Sequence, residues 1–400
     1  MAIIVQKFGG TSVADIERIK NVAAIIKSEY VAGNQVIVVV SAMAGVTNSL
    51  ISKCSQISQL DNIEALREYD AAIASGEIVT SALLALELQR LKLSARSMQG
   101  WQVPIKTDNV HGNAQALDIP PDILKNIIAS GVIPVITGFQ GITHDGNITT
   151  LGKGGSDTSA AIIAASLGAE RCDIYTDVDG IYSADPRVVH DAHKIDQINI
   201  DELCILCSSG AKVLHPRAAL AAKRYGFKLR ILSSFNTNEG TIVQAKRALM
   251  EKRKVTAITS NKNLLNIDIN YKGGSIANLY KEFANSAIQI EQVHNIDTFN
   301  SYIISNLSDK AKCTPVLEGL KNNSEIVNYY LNTNISTVTI VGYGIKNDSS
   351  LTWQVIDILN QNNITIISSH ADDIKMSILI NDQDNEKVIK LLHKNFVDLL

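Results

Sequence analysis

This 400-residue chain predicts an α/β protein with a mainly parallel sheet covered by helices, followed by two smaller α+β modules, on three observations. Short runs rich in Val and Ile (Ile3 to Gln6, Val36 to Val40, Ile133 to Thr137, Cys172 to Thr176, Leu229 to Ser233) alternate with longer helical patterns, as βαβ units do. A charged stretch, Lys246 to Lys254, is the best boundary, and beyond it the texture becomes richer in Asn and Ser. There two segments of roughly 70 residues each read as strand, helix, strand, strand, an internal repeat.

The first element is the apolar run Ala2 to Gln6, followed by a Gly-Gly turn and a helical pattern (Val13, Ile16, Ile19, Val22, Ile25, Ile26). In that arrangement the bare amides of Gly9 and Gly10 face an anion near a helix N-terminus, beside Lys7. Ser41 ends the second strand. Glu77 opens an almost wholly apolar helix (Ile78, Val79, Leu83, Leu84, Leu86) and would sit at a buried edge. Between Thr137 and Thr150 the turn signal His144-Asp145-Gly146-Asn147 predicts a hairpin that interrupts the parallel order of the sheet. A second glycine cluster with one lysine precedes the apolar stretch Ala160 to Leu167, read as a helix buried on most sides.

In the first repeat segment, strands are expected at Val255 to Ile258 and Leu265 to Ile269, a turn at Lys272-Gly273-Gly274-Ser275 and a helix over Ile276 to Asn285. Further strands follow near Ile288 to Val293 and Ser301 to Ser305. The second has strands at Thr337 to Val341, Thr365 to Ser368 and Lys375 to Ile380, with a helix over Leu351 to Gln361.

Hydrophobic residues make up 46% of the chain, enough for two or three domains with their own cores. A net charge of -3, from 37 basic and 40 acidic residues, gives no general attraction to nucleic acid or to an anionic membrane. No stretch approaches the roughly 18 uncharged apolar residues of a membrane span, and no secretion signal precedes the first strand, so a cytoplasmic location is expected. The five cysteines are scattered, as reduced thiols are, and Cys204 and Cys207 read as small buried hydrophobes on one helix face.

Three distant segments carry phosphate-binding chemistry: K-F-G-G-T-S from Lys7, T-T-L-G-K-G-G-S-D from Thr149, and T-D-V-D-G-I-Y-S-A-D-P-R from Thr176. Glycine amides and lysines recurring at predicted helix starts read as one phosphoryl-transfer site. The chain has neither G-x-x-x-x-G-K-[ST] nor a strand-linked G-x-G-x-x-G, which disfavours P-loop and dinucleotide folds. Neither His-x-x-x-His nor a carboxylate cluster suggests a protein-held metal, so Mg²⁺ would arrive with the phosphate-bearing substrate.

Those segments, with V-V-V-S-A-M-A-G-V-T-N from Val38 and G-A-K-V-L-H-P from Gly210, occur in the order that marks aspartate kinases, and the chain resembles that family. The match runs from Met1 to about Val243 and continues more weakly through a tail resembling paired ACT modules. The resemblance implies an amino-acid-kinase-like αβα sandwich at residues 1–245 and two ferredoxin-like ACT modules at 255–330 and 335–400. It implies ATP-dependent phosphorylation of the side-chain carboxylate of L-aspartate, the first step toward lysine, threonine and methionine, modulated by lysine or threonine at the ACT modules. It also implies a homo-oligomer formed through those modules. Lys7 and Lys212 would supply two cations, and Asp157 would hold the lysines in place. The nucleotide would lie on Lys7, Phe8, Gly9, Gly10, Ser41, Thr176, Asp177, Tyr182, Arg187 and Lys212. The amino acid would lie on Thr47, Glu77, Lys153, Gly154, Gly155 and Ser156.

Two departures qualify the resemblance. The family usually has arginine in L-G-R-G-G-S-D, a planar fork for the substrate carboxylate; Lys153 keeps the charge without the bidentate geometry, so weaker substrate binding or help from a nearby group is expected. Neither ACT loop, Lys272-Gly273-Gly274 or Asn347-Asp348-Ser349-Ser350, carries the family's aspartate before Pro-Gly, although Ser349 or Ser350 can cap a helix. Altered or reduced effector affinity follows. Other amino-acid-kinase-fold enzymes (glutamate 5-kinase, acetylglutamate kinase, uridylate kinase) would share the glycine loops without this combination. A non-catalytic amino-acid sensor would not need Lys7, Asp157 and Lys212.

Overall fold

Strand β1 (Ile3–Phe8) shows no alternation of burial and has a strand paired on either side; its last five residues, Gln6 and Lys7 included, are buried. The structure, a computed structural model, describes residues 1–244, 255–272, 276–297 and 299–397, and these fall into two compact units. The first comprises Met1–Tyr182, His193–Ser208 and the chain from Lys212 to the end of the main sheet. The expected boundary segment, Lys246 to Lys254, lies outside the described residues.

The main sheet of the first unit adds β2 (Gln35–Val40), β3 (Ala95–Met98), β4 (Ile133–Thr137), β5 (Arg171–Thr176), β6 (Gln197–Asn199), β7 (Lys228–Ser233) and β8 (Thr241–Gln244). Its eight strands run in the order β6-β8-β7-β5-β1-β2-β4-β3. Every pairing is parallel except that of β7 with β8. The helices are α1 (Ile16–Val31), α2 (Val46–Ile57), α3 (Ile63–Ile73), α4 (Ser75–Arg90), α5 (Asp122–Ala129), α6 (Gly155–Leu167), α7 (Ile200–Ser208) and α8 (Pro216–Tyr225). From β1 the chain moves to β2, β4 and β3 on one side and later to β5 and β7 on the other. The order therefore reverses between β1 and β5, and the carboxyl ends of these strands form the crevice where parallel sheets bind ligands.

The hairpin forms where expected, Gln140–Ile142 against Ile148–Thr150, but it does not interrupt the main sheet. It joins Lys106–Thr107 and Ala116–Asp118 in a separate four-stranded sheet. Leu151 follows it at once and donates its amide to Phe139 O at 2.8 Å, so the hairpin hands the chain directly to the glycine loop before α6. The helical stretch Ile63–Arg90 is long and apolar enough to cross a membrane by length and composition, contrary to expectation. It is broken at Ala74, carries Glu77, and packs Leu84 and Leu88 into the core beneath α1 and β2. Cys207 is buried on α7 as expected, whereas Cys204 is only partly covered.

The second unit contains Ser183–Ala192, Ser209–Ala211 and the chain from Val255. Its strands are β9 (Ala257–Asn261), β10 (Leu264–Tyr271), β11 (Ile290–Asn295), β12 (Asn300–Asn306), β13 (Ile326–Asn332), β14 (Ile335–Val341), β15 (Ile366–Ala371) and β16 (Lys375–Asn381). Its helices are α9 (Ile276–Asn285), α10 (Lys310–Asn322), α11 (Ser349–Gln361) and α12 (Asn385–Phe396). Two antiparallel sheets result, β11-β12-β10-β13 and β9-β14-β16-β15. The strand assigned from sequence to the start of the first module therefore belongs to the second, where Ala257 pairs with Val341, and the first module is nested inside the second. Asp348, rather than either serine, caps α11 by accepting from Leu351 N at 3.0 Å. Gly273, Gly274 and Ser275 lie outside the described residues.

Candidate active site

The Gly-Gly turn leaves β1 at its carboxyl end, but its two amides are not equivalent. Gly9 donates its amide to Tyr175 O at 3.1 Å, extending the pairing of β1 with β5, so the expectation that both amides face an anion is corrected for Gly9, whose amide is engaged within the sheet. The N-terminus of α1 is not the anion site either. That helix begins six residues beyond Gly10, at Ile16, and the Asp15 carboxylate caps it by accepting from Arg18 N at 2.8 Å. The N-terminus of α6 has no side-chain cap: Gly154 (φ 68) is the cap residue, and no side chain among the described residues accepts from the first turn.

Lys7 and Asp157 meet between these segments. Lys7 Nζ lies 2.7 Å from Asp157 Oδ1, with side chains only 10% and 14% exposed, so both charges are largely removed from water and are compensated by each other. The second oxygen of Asp157 accepts from His215 N at 3.3 Å, tying α6 to the G-A-K-V-L-H-P segment. The His215 ring fills the space that a Cβ on Gly154 would need, which with the positive φ fixes glycine there. Burial pushes the His215 imidazole below its ordinary value against the pull of Asp157, while Arg217 and Lys153 push the same way as burial. Lys153 is exposed close by on the same loop. Lys212 is exposed on the turn before α8 and has no ion-pair partner among the described residues.

Glu77 joins the same chain of contacts from the other side. It sits in the first turn of α4, 3% exposed, and its Oε1 accepts from Ala42 N at 3.0 Å. Ala42 O in turn stands 2.9 Å from where a Cβ on Gly10 would be, so Glu77, Ala42 and the Gly-Gly turn are packed in series. Glu77 Oε2 is buried with no hydrogen-bond partner among the described residues, and burial pushes the carboxyl up to about 7. Thr47 lies half-buried in the first turn of α2, next to Val46, whose Cγ1 is 3.3 Å from where a Cβ on Gly76 would be. Ser41 directly follows β2 and donates its amide to Phe8 O at 3.1 Å. Ser156 is buried against Gly138, and Gly155 packs on Phe139.

The third segment follows β5 in the first unit as far as Tyr182. Thr176 ends β5 beside Ser233 of β7, and its hydroxyl donates to Asp177 Oδ1 at 3.0 Å. Tyr182 OH donates to Asp179 Oδ1 at 2.8 Å and Asn238 Nδ2 to Asp179 Oδ2 at 3.1 Å. Burial raises the Asp179 carboxyl, but those donors outweigh it and hold the group below its ordinary value. Phe8 stacks on Tyr175 with centroids 4.6 Å apart, within the buried core of the first unit. Arg187 does not share this unit. It belongs to Ser183–Ala192, whose Ala184 and Val189 are buried in the core of the second unit, and there it clamps Asp185 at 2.7 Å.

Sequence reasoning missed two residues that shape the loop. Phe139 adopts φ 71, rare for an aromatic residue, with its amide donating to Ser159 Oγ at 3.1 Å. Arg217 donates to Leu151 O at 2.7 Å and to Ala114 O at 2.9 Å. Nothing in a single sequence distinguishes such an arginine from a solvated one.

The model of the amino acid kinase family matches residues 2–233, and that of the ACT domain matches residues 338–396. The chain is 46% identical over 400 residues to the aspartokinase of Rickettsia felis, covering 99% of each. It is 36% identical over 402 residues to aspartokinase 2 of Bacillus subtilis, covering 99% of this chain and 98% of that one. Among solved structures, it resembles Escherichia coli aspartokinase III in complex with aspartate and ADP with a TM-score of 0.86 and 26% identity, over 99% of this chain and 100% of the other. The same enzyme in complex with lysine and aspartate aligns with a TM-score of 0.75. The chain belongs to the amino acid kinase family and, within it, to the aspartokinases.

Proposed function

We propose that this chain transfers the γ-phosphoryl group of MgATP to the side-chain carboxylate of L-aspartate, giving 4-phospho-L-aspartate and ADP. The nearly buried Lys7–Asp157 pair, at 2.7 Å beside two glycine loops, is the observation that carries the reading. A carboxylate is already ionised at neutral pH, so attack on phosphorus needs no general base. One carboxylate oxygen forms the new P–O bond as the bond to the bridging oxygen of ADP breaks. Nucleophile, migrating group and leaving group are all anionic, and charge neutralisation is the main catalytic task. Lys7, held by Asp157, faces the phosphates; Lys212, without an ion-pair partner among the described residues, is the second cation; Mg²⁺ comes with ATP. The uncapped end of α6, with Gly154, Gly155, Ser156 and Lys153, takes the α-carboxylate of aspartate, and Glu77 takes its ammonium beside Thr47. Phe8, Gly9, Gly10, Ser41, Thr176, Asp177 and Tyr182 line the nucleotide.

Residues 1–245 form the catalytic domain in this reading, and the two ACT modules hold an effector, with lysine the first candidate because the Escherichia coli enzyme was crystallised with it. Pairing of ACT edges between copies gives a homo-oligomer, and the enzyme works in the cytoplasm. The test is ADP release from MgATP with L-aspartate, with L-glutamate as the control. Wild type should turn over aspartate, and Lys7→Ala should lose at least about 1,000-fold in kcat/KM. Equal turnover of glutamate, or an active Lys7→Ala, would refute the reading.

A further inference from the structure

Asp70, on the last turn of α3, lies outside every motif above, yet it is a fully buried carboxylate whose partners come from two separate loops. Gly112 N lies 3.0 Å from both of its oxygens, and His111 Nδ1 lies 2.8 Å from Oδ2. Because an ionised carboxylate only accepts, that ring nitrogen carries the proton. The Thr150 hydroxyl donates to Oδ1. A buried acid with each oxygen satisfied is a rigid node, since releasing any donor leaves charge uncompensated in a dry site.

Thr150 stands three residues before Lys153, and the stretch between them is fixed from outside at each step. Thr149 Oγ1 and Thr107 Oγ1 are 2.7 Å apart, Thr150 O accepts from Ala114 N at 2.9 Å, and Leu151 O accepts from Arg217 at 2.7 Å. The side chain of Asn113 occupies the space beside Gly152 that a Cβ would need. On the other side, α3 passes through Ala74 into α4, whose first turn carries Glu77. Ala74 O accepts from Gln140 Nε2 at 2.6 Å, and Gln140 is itself fully buried. Asp70 thus links the helix junction that places Glu77 to the loop that places Lys153.

We propose that Asp70, acting through Thr150, is a positioning residue for the amino-acid substrate. It sets the spacing between the group that takes the ammonium and the loop that takes the α-carboxylate. With both ends of the α-carbon fixed, only a side chain of one length brings its carboxylate in line with the γ-phosphorus, so the node also tunes discrimination between aspartate and its one-methylene-longer homologue. This rests on the reading of Glu77 and the Lys153 loop given above.

Thr150→Val removes one hydroxyl at nearly constant volume and leaves Asp70 its other donors. The expected result is a rise of roughly fivefold in KM for aspartate, KM for ATP within about twofold of wild type, and a narrowed aspartate-to-glutamate ratio of kcat/KM. Thr150→Ser should restore all three. Hydrogen exchange on the ligand-free protein supplies a readout independent of activity: peptides covering residues 149–156 should exchange faster in Thr150→Val and at the wild-type rate in Thr150→Ser. Unchanged KM for aspartate, KM values for both substrates rising together, or unchanged exchange in that loop would each overturn the proposal. A wild-type protein inactive on aspartate would instead refute the functional reading, and the exchange measurement would still decide whether the node holds the loop.

Discussion

Glu77 shows how far a single side chain can be pushed by its surroundings. Its carboxyl rises from 4.5 to about 7 because burial penalises the charge more than the amide of Ala42 relieves it. Between those values the folded protein holds a proton that the unfolded chain has released. This group therefore favours folding most below about pH 4.5, and its contribution is lost as pH rises toward 7. Glu77→Gln should raise the stability of the ligand-free protein at pH 8 by up to ~3 kcal/mol in urea unfolding, while weakening aspartate binding at least about tenfold. A variant no more stable than wild type at pH 8 would show that the carboxylate is not penalised there. Since the substrate ammonium needs the ionised form, KM for aspartate should rise as pH falls below about 7. At the neighbouring loop, Lys153→Arg should lower KM for aspartate severalfold by restoring a planar fork, and an unchanged or higher value would count against that role. The meeting of Lys7 with Asp157 was legible because both lie in glycine-lysine segments that recur in one chain, a combination that ordinary tight turns do not require. Asp70, His111 and Arg217 were not, since their work is to satisfy partners that only the folded chain brings near.

At the scale of elements, the strands read best were those buried on both faces, such as β2, where the last five residues of Q-V-I-V-V-V are all buried. Strand β13 was missed because most of its residues are partly or fully exposed, leaving no apolar period to read. The α1 N-terminus was misread for a different reason. A Gly-Gly turn before an amphipathic helix suggests an anion site, but Asp15 has already placed a carboxylate at that helix end. Asp15→Ala should therefore cost about 1 kcal/mol of stability and leave KM for ATP unchanged. A marked change in nucleotide affinity would return the anion to α1.

Over the whole molecule, the division into a parallel-sheet unit and a repeat of antiparallel sheets followed from composition and period. The nesting of one module in the other did not, because β9 pairs with a strand far away by sequence, Ala257 with Val341, and short alternating runs carry no address for a distant partner. The same scale holds the question of control. The Lys272-Gly273-Gly274 loop lacks an acid for a bound ammonium. Titration calorimetry with lysine and with threonine should accordingly give affinities no tighter than ~1 mM, and micromolar binding of either would show that the site survives without that acid.

The central claim, that Lys7 held by Asp157 steadies a phosphoryl group moving onto a carboxylate, is tested most directly by a single turnover with enzyme in excess over γ-labelled ATP and saturating L-aspartate. The label should appear in an acyl phosphate that hydroxylamine converts to aspartyl hydroxamate, and Lys7→Ala should abolish it while still binding aspartate. Label transfer by Lys7→Ala at the wild-type rate, or label appearing only as inorganic phosphate with wild type before hydroxylamine is added, would contradict the account.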